Sequence, residues 1–259
     1  MEFFDAHCHL QLPQFDADKA EVLARMVESK TAGIVVGVDL ATSKAAIELA
    51  ERYDFLWAAV GLHPQDNLDE QWIDISIQME SLAKHSKVVA IGECGLDYSR
   101  EITDEAKATQ KIRFESQIEL ALTVQKPLII HCRNAHDDMI EILTDYMGNH
   151  PTLKVIIHFC TVTGEVAQKY IDLGCYLSFP GPITYTDMYD ESIRLAPMDK
   201  ILSETDSPFA APVPFRGKRN EPAYVSHVVA KIALIKETGL DTMASQIAQN
   251  AQKVFGLPA

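Results

Sequence analysis

Cysteine is scarce in this chain and shows no sign of pairing. Its five residues, Cys8, Cys94, Cys132, Cys160 and Cys175, are odd in number and never fall into a C-x-x-C spacing. Neither a disulfide framework nor a zinc ribbon is therefore expected. Positive charge is also in short supply: 23 Lys and Arg stand against 37 Asp and Glu, a net charge of −14. That balance argues against a protein that coats nucleic acid, which needs a broad cationic face, but leaves room for one locally positive pocket that takes a nucleic-acid end. No apolar run approaches the roughly eighteen residues of a membrane span. The first residues lack the basic-then-apolar order of a signal peptide, so the cytoplasm is the expected compartment, without membrane association. Low-complexity segments and linker-like shifts in composition are missing as well.

What is present is a regular alternation. With 47% hydrophobic residues over 259 positions, the chain can bury a large core. Eight short β-rich runs recur, at Phe3–His9, Gly33–Gly37, Phe55–Val60, Val88–Ile91, Pro127–His131, Lys154–His158, Cys175–Phe179 and Ile201–Asp206. Each is followed by a helical pattern, including a segment from Thr42, which can cap it, to Tyr53 and another over Asp187–Leu195. Two further helices, around Pro222–Thr238 and Asp241–Phe255, finish the chain. The pattern predicts an α/β protein, a single (β/α)8 TIM barrel over residues 1–259 with a C-terminal helical extension.

Barrels of this kind place reactive groups at the C-terminal ends of their strands. The residues there are His7, His9, His63, Glu93, His131, His158 and Asp206. Side chains alternate along a strand, so Asp5, His7 and His9 share one face, and Phe4, Ala6 and Cys8 the other. One strand-end histidine is ordinarily a hydrogen-bonded rim residue. A set at matching ends of separate strands is not what chance scatter produces. Four of the imidazoles and the two carboxylates suit one or two ions of zinc or manganese, magnesium being less natural for nitrogen ligands. Glu93 could bridge two such ions, which would polarise a phosphoryl or carbonyl oxygen and lower the pKa of a water between them. The reaction implied is hydrolysis.

Glu204 and Asp206 stand two apart on the last strand and should face the same way. Asp206, nearer the mouth, is suited to bind metal and accept a proton from the attacking water, while Glu204 lies deeper and would orient a histidine. Cys8, Cys94 and Cys132 each follow a proposed ligand by one residue and should fill the layer behind the strands. Cys160, two residues beyond His158, could share its face and take a metal or redox role. Pro64 leaves His63 on a turn. Arg133, directly after the fifth strand, and Arg216, Lys218 and Arg219 in the 212–222 loop are candidates for phosphate contacts, Arg133 having the best placed neighbour.

The runs Asp5-Ala-His7-Cys-His9-Leu10, Gly61-Leu-His-Pro64, Ile91-Gly-Glu93-Cys-Gly-Leu-Asp97, Ile130-His131-Cys-Arg133, His158, Leu202-Ser-Glu-Thr-Asp206-Ser-Pro208 and Arg219-Asn-Glu-Pro222 span nearly the whole chain. With them the sequence resembles the TatD family of metal-dependent deoxyribonucleases, a branch of the amidohydrolase-like barrels. The resemblance implies a site of two divalent metal ions (zinc, manganese or magnesium) at His7, His9, Glu93, His131, His158 and Asp206. It also implies hydrolysis of DNA phosphodiester bonds, often from an end, which makes single-stranded or frayed DNA the expected substrate. Asp206, Glu93 and Glu204 would carry the chemistry, with His63, Arg133 and Arg219 on the substrate. No protein partner is evident. One departure stands out: the family usually has His-Cys-Phe, then Ser or Thr and Gly, where this chain reads His158-Phe-Cys-Thr-Val-Thr-Gly164. The change falls on the loop beyond the histidine, and so on substrate contacts of that side. The same metals could also serve an amide, lactone or acyl-ester hydrolase, including one that deacylates tRNA, or a non-catalytic metal-binding adaptor.

Overall fold

A computed structural model describes residues 2–65, 72–100 and 102–258. Its strands are β1 (Phe3–Cys8), β2 (Thr31–Val36), β3 (Leu56–Val60), β4 (Val88–Asp97), β5 (Leu128–Arg133), β6 (Val155–Ile157), β7 (Tyr176–Phe179) and β8 (Ile201–Ser203). They form one sheet in the order β1-β2-β3-β4-β5-β6-β7-β8, with every pair parallel. Strictly sequential parallel order requires a return helix after each strand and leaves the two edges to find each other. They do so just beyond β8, where the Asp206 N–H donates to the His7 carbonyl (2.9 Å) and the His9 N–H to the Ser207 carbonyl (2.8 Å). The Ser203 hydroxyl adds a bond to the Phe4 carbonyl (2.9 Å). The product is the expected (β/α)8 barrel.

The helices are α1 (Lys19–Glu28), α2 (Leu40–Arg52), α3 (Trp72–Ala83), α4 (Asp104–Val124), α5 (His136–Asn149), α6 (Gly164–Asp172), α7 (Asp190–Leu195), α8 (Val225–Ile235) and α9 (Leu240–Phe255). Their starts have local causes. Thr42 helps cap α2 from inside it: Asp39 is the cap, its carboxylate accepting from the Thr42 N–H (2.6 Å) while the Thr42 hydroxyl accepts from the Asp39 N–H (3.0 Å). This reciprocal pair satisfies two donors that a helix start otherwise orphans. Thr103 caps α4 by accepting from the Ala106 N–H (3.2 Å), with Asp104 and Glu105 in the first turn, where the helix dipole favours negative charge. The helical segment expected from Asp187 begins only at Asp190, and the one expected from Pro222 opens with a short 3-10 turn, Pro222–Tyr224, before α8.

Strands enclosed on both faces read as continuous apolar runs, and β2 is buried from Thr31 to Val36. The C-terminal extension covers the barrel beside β1, where Phe255 of α9 stacks on Phe4 with ring centroids 6.1 Å apart. Two strands differ most from expectation. β4 runs six residues past Ile91, to Asp97, because Gly92 and Gly95 hold φ of +149° and +142° and let the backbone lie directly against β5. A Cβ at Gly95 would collide with the His131 carbonyl, so the glycines extend this strand instead of ending it. β8 stops at Ser203, short of the expected Asp206. Asp206 itself adopts a left-handed φ of 54°, which swings the chain out of the sheet and across to β1.

Candidate metal centre

The residues expected to converge do so, at the mouth formed by the strand ends. His7 and His9 leave β1 with their Nε2 atoms 3.1 Å apart. The His9 ring is fixed from behind by its Nδ1 against the Val36 carbonyl (2.8 Å). Asp206 brings Oδ1 to 3.3 Å from His9 Nε2 and 3.9 Å from His7 Nε2. Asp5, on the same strand, turns instead to the segment after β8: it accepts from the Thr205 N–H (2.9 Å) and hydroxyl (2.5 Å) and so locks that segment to β1.

Glu93 lies at the centre. Its Oε2 is 3.3 Å from His7 Nε2 and 3.8 Å from His9 Nε2. Its Oε1 is 2.8 Å from His131 Nδ1, 3.4 Å from His158 Nε2 and 3.6 Å from His63 Nε2. One buried carboxylate thus lies against five imidazoles. Burial by itself would raise the Glu93 pKa, but the imidazoles, His158 foremost, overcome it and hold the carboxyl well below the ordinary range. Burial pulls His158 down too, and there Glu204 and Glu93 win and hold the ring well above its usual value. His9 and His131 are raised against the same penalty by Asp206 and by Asp97 respectively. His7 is lowered, first by burial and then by His158, and burial pushes His63 down to about 4.

This donor set fits a divalent cation. Two imidazole nitrogens 3.1 Å apart direct lone pairs at nearly one point, with two carboxylates within 4 Å, an arrangement that a cation satisfies better than protons can. Among the described residues three groups each have ligand atoms within 4.8 Å of one another: His7, Glu93 and His158; His7, His9 and Asp206, which shares His7 with the first; and His63, Asp97 and His131. All donors are nitrogen or oxygen, as suits zinc or manganese.

Around these donors stand the groups that hold them. Glu204, fully buried, places Oε1 2.9 Å from His158 Nδ1 and accepts from the Phe159 N–H (2.8 Å). A carboxylate behind a metal-binding imidazole fixes its orientation, and losing such a partner costs roughly 10–100-fold in metal affinity. Glu204→Gln is accordingly expected to weaken zinc binding by about that factor, read by calorimetric titration of the metal-stripped protein, with the melting curve still cooperative.

Asp97 is a site residue the sequence reading missed. Its Oδ2 is 3.0 Å from His131 Nε2 and accepts from the Gln65 amide (2.8 Å), while Oδ1 accepts from the Ser99 N–H (2.8 Å). Burial would raise its carboxyl, but the His131 ring outweighs that and holds it below the ordinary range. The signal was available: with β4 extended, Glu93, Gly95 and Asp97 alternate onto one face.

His63, expected on the substrate side, packs against the donors, its ring centroid 4.5 Å from that of His131. Cys8 and Cys94 are fully buried behind the strands, and Cys132 contacts the His136 ring (3.2 Å) in the layer behind β5. Cys160 does not follow His158: Phe159 has a left-handed φ of 49°, the alternation breaks, and Cys160 is buried in none of the three donor groups.

The cationic candidates separate. Arg133 ends β5 opposite Asp97, is exposed and forms no ion pair among the described residues. Arg216 lies over the Tyr185 ring at 4.2 Å, and Lys218 is exposed. Arg219, expected on substrate, is engaged elsewhere: its guanidinium forks onto Asp18 at 2.7 and 2.6 Å, donates to the Gln14 carbonyl (2.8 Å) and covers the Phe15 ring. A bidentate carboxylate occupies the geometry that a phosphate would need. Arg219 therefore ties the 212–222 loop to the start of α1.

Comparison with known proteins gives the family. The family model described as TatD related DNase matches residues 4–256. A Bacillus subtilis protein named uncharacterized metal-dependent hydrolase YabD is 42% identical over 97% of this chain and 98% of its own length. The 3'-5' ssDNA/RNA exonuclease TatD of Salmonella typhimurium is 32% identical over 97% of this chain and 98% of its own. Among solved structures, the TatD homolog YJJV from Escherichia coli superposes with a TM-score of 0.89 at 28% identity, covering 99% of both chains. The chain belongs to the TatD-related DNase family and is a metal-dependent hydrolase of that type.

Proposed function

We propose that this enzyme is a divalent-metal-dependent phosphodiesterase that removes nucleotides from the end of single-stranded or frayed DNA. The observation that carries the proposal is the gathering of His7, His9, Glu93, His131, His158 and Asp206 at one barrel mouth, with Arg133, exposed and in no ion pair among the described residues, two positions beyond His131 on β5. We assign the first metal position to His7, His9, Glu93 and Asp206 and the second to Glu93, His131 and His158, for zinc, manganese or magnesium. When bound, such ions supply Lewis acidity for the phosphoryl oxygens and make a water nucleophilic at neutral pH.

The chain's own residues do the rest. Asp206 keeps 16% of its side chain open to the mouth, where it accepts the proton of the attacking water. Glu204 and Asp97 hold the rings of His158 and His131 from behind. Arg133 neutralises and orients a phosphate oxygen of the substrate. The net charge of −14 disfavours long duplexes and is easier to reconcile with one strand end threaded into the mouth. The relatives named 3'-5' ssDNA/RNA exonuclease support attack from the 3' end. The chain would act as one catalytic unit in the cytoplasm with no obligate partner; among the described residues no helix is long and apolar enough to cross a membrane.

Metal-stripped protein reconstituted with zinc, manganese or magnesium should release mononucleotides from a 5'-labelled single strand. No release with any of the three metals would count decisively against the proposal. Arg133→Ala should lower kcat/KM on DNA by about 10–100-fold, the worth of one charge-assisted contact to phosphate. Full DNA activity in that variant would show that Arg133 holds no phosphate of the substrate.

A further inference from the structure

Phe209 is a large apolar side chain that is 49% exposed at the edge of the metal centre. Single exposed hydrophobic residues on helix surfaces, such as Val27 or Leu234 here, call for no explanation. Phe209 differs in position and in restraint. It follows Asp206 by three residues, and its ring centroid lies 6.3 Å from that of His9 with the planes at 65°. Its backbone is fixed on both sides: its N–H donates to the Asp206 carbonyl (2.9 Å), and its carbonyl accepts from the Asn220 side-chain amide (2.7 Å). Asn220 is fully buried and also donates to the Thr205 carbonyl (2.8 Å), so one amide clamps both ends of the turn that carries Asp206. A buried polar group thus fixes the backbone beneath a half-exposed aromatic ring, next to the proposed ligands. Core packing does not account for a ring left half in solvent.

We infer that Phe209 is the platform on which the terminal base of the substrate strand stacks; this rests on the nuclease reading above. Every nucleobase has a π-face, so stacking on a fixed aromatic ring binds an end without selecting a sequence, as a degradative exonuclease requires. The clamp gives the contact its use. Because the ring and Asp206 belong to one hydrogen-bonded turn, a base seated on Phe209 sets how far the following phosphodiester reaches toward the metal centre. Arg133 rises from β5, across the ring of strands from β1 and β8, so base and phosphate would be held at opposite rims of the mouth.

The test compares two 5'-labelled single strands of one sequence, one with a 3'-terminal base and one with an abasic tetrahydrofuran unit at that position. Wild-type enzyme loaded with manganese should prefer the base-bearing strand by about 5- to 150-fold in kcat/KM, the usual worth of one stacked base, mainly through KM. In Phe209→Leu, which keeps apolar bulk, that ratio should collapse to about one, and in Phe209→Trp it should be retained. Manganese affinity and the melting temperature, measured on all three proteins, report whether the site and fold are intact. A Phe209→Leu ratio equal to that of wild type overturns the inference, as does a wild type indifferent to the terminal base. If wild type cleaves neither strand but hydrolyses a lactone or aryl ester, the nuclease reading fails and the platform with it. Cleavage of both strands without preference sinks the platform alone.

Discussion

Glu93→Gln is expected to lower kcat/KM on single-stranded DNA by more than about 10³-fold and to strip the protein of tightly held metal. Replacing a group that merely orients a ligand costs roughly 10–100-fold, and Glu93 is placed to do more. Its two oxygens lie within 3.8 Å of five imidazole nitrogens, so its charge is the common counterion of the whole centre. An amide of the same shape offers one neutral oxygen and, on the other side, an NH2 that competes for the nitrogen lone pairs a cation needs. Metal content by mass spectrometry after dialysis, set beside nucleotide release and the melting temperature of the metal-free proteins, separates loss of the ions from unfolding. A Glu93→Gln protein that keeps its metal and remains within tenfold of wild-type activity would remove the basis of the proposed centre.

Asp206→Asn is expected to lower kcat by about 10³-fold or more while leaving KM for DNA near its wild-type value. A positioned general base contributes about 10²–10⁴-fold, and here the same side chain is also a proposed ligand. The substitution leaves the turn intact. Asn keeps the backbone bonds of this position to the His7 carbonyl and from the Phe209 N–H, and it tolerates the left-handed φ of 54° as readily as Asp does. What it loses is negative charge 3.3 Å from His9 Nε2 and the capacity to take up a proton. Single-turnover cleavage together with strand binding by anisotropy measures both halves of the expectation. The same variant distinguishes an enzyme from a metal-binding adaptor: turnover disappears in the first, whereas an adaptor would keep its partner.

The parts of this site legible in the sequence follow from periodicity. His7 and His9 could be placed together because a strand alternates with period two, and His131 and His158 because apolar runs end on them. Asp97 falls outside a strand taken to end at Ile91. Glycines after a strand usually mark a turn, but at Gly92 and Gly95 the missing Cβ lets two strands approach closely, and β4 carries Asp97 to the mouth. Cys160 was misplaced by the opposite error, since alternation was extended through Phe159, whose left-handed backbone breaks it. Arg219 lay beyond any local pattern. Its partner Asp18 is 201 residues away, and a bidentate contact of that span is written in the tertiary fold, not in spacing.

The seam between β1 and the turn after β8 has a consequence for when the enzyme becomes able to work. Thr205 meets Asp5, Ser207 meets His9 and Asp206 meets His7, so the first and last strands supply opposite halves of one centre. A nascent chain that has emerged through β7 already owns all five imidazoles of the centre but lacks the acid that completes them. Competence therefore arrives in a single late step of synthesis, and truncated or interrupted products are born inert.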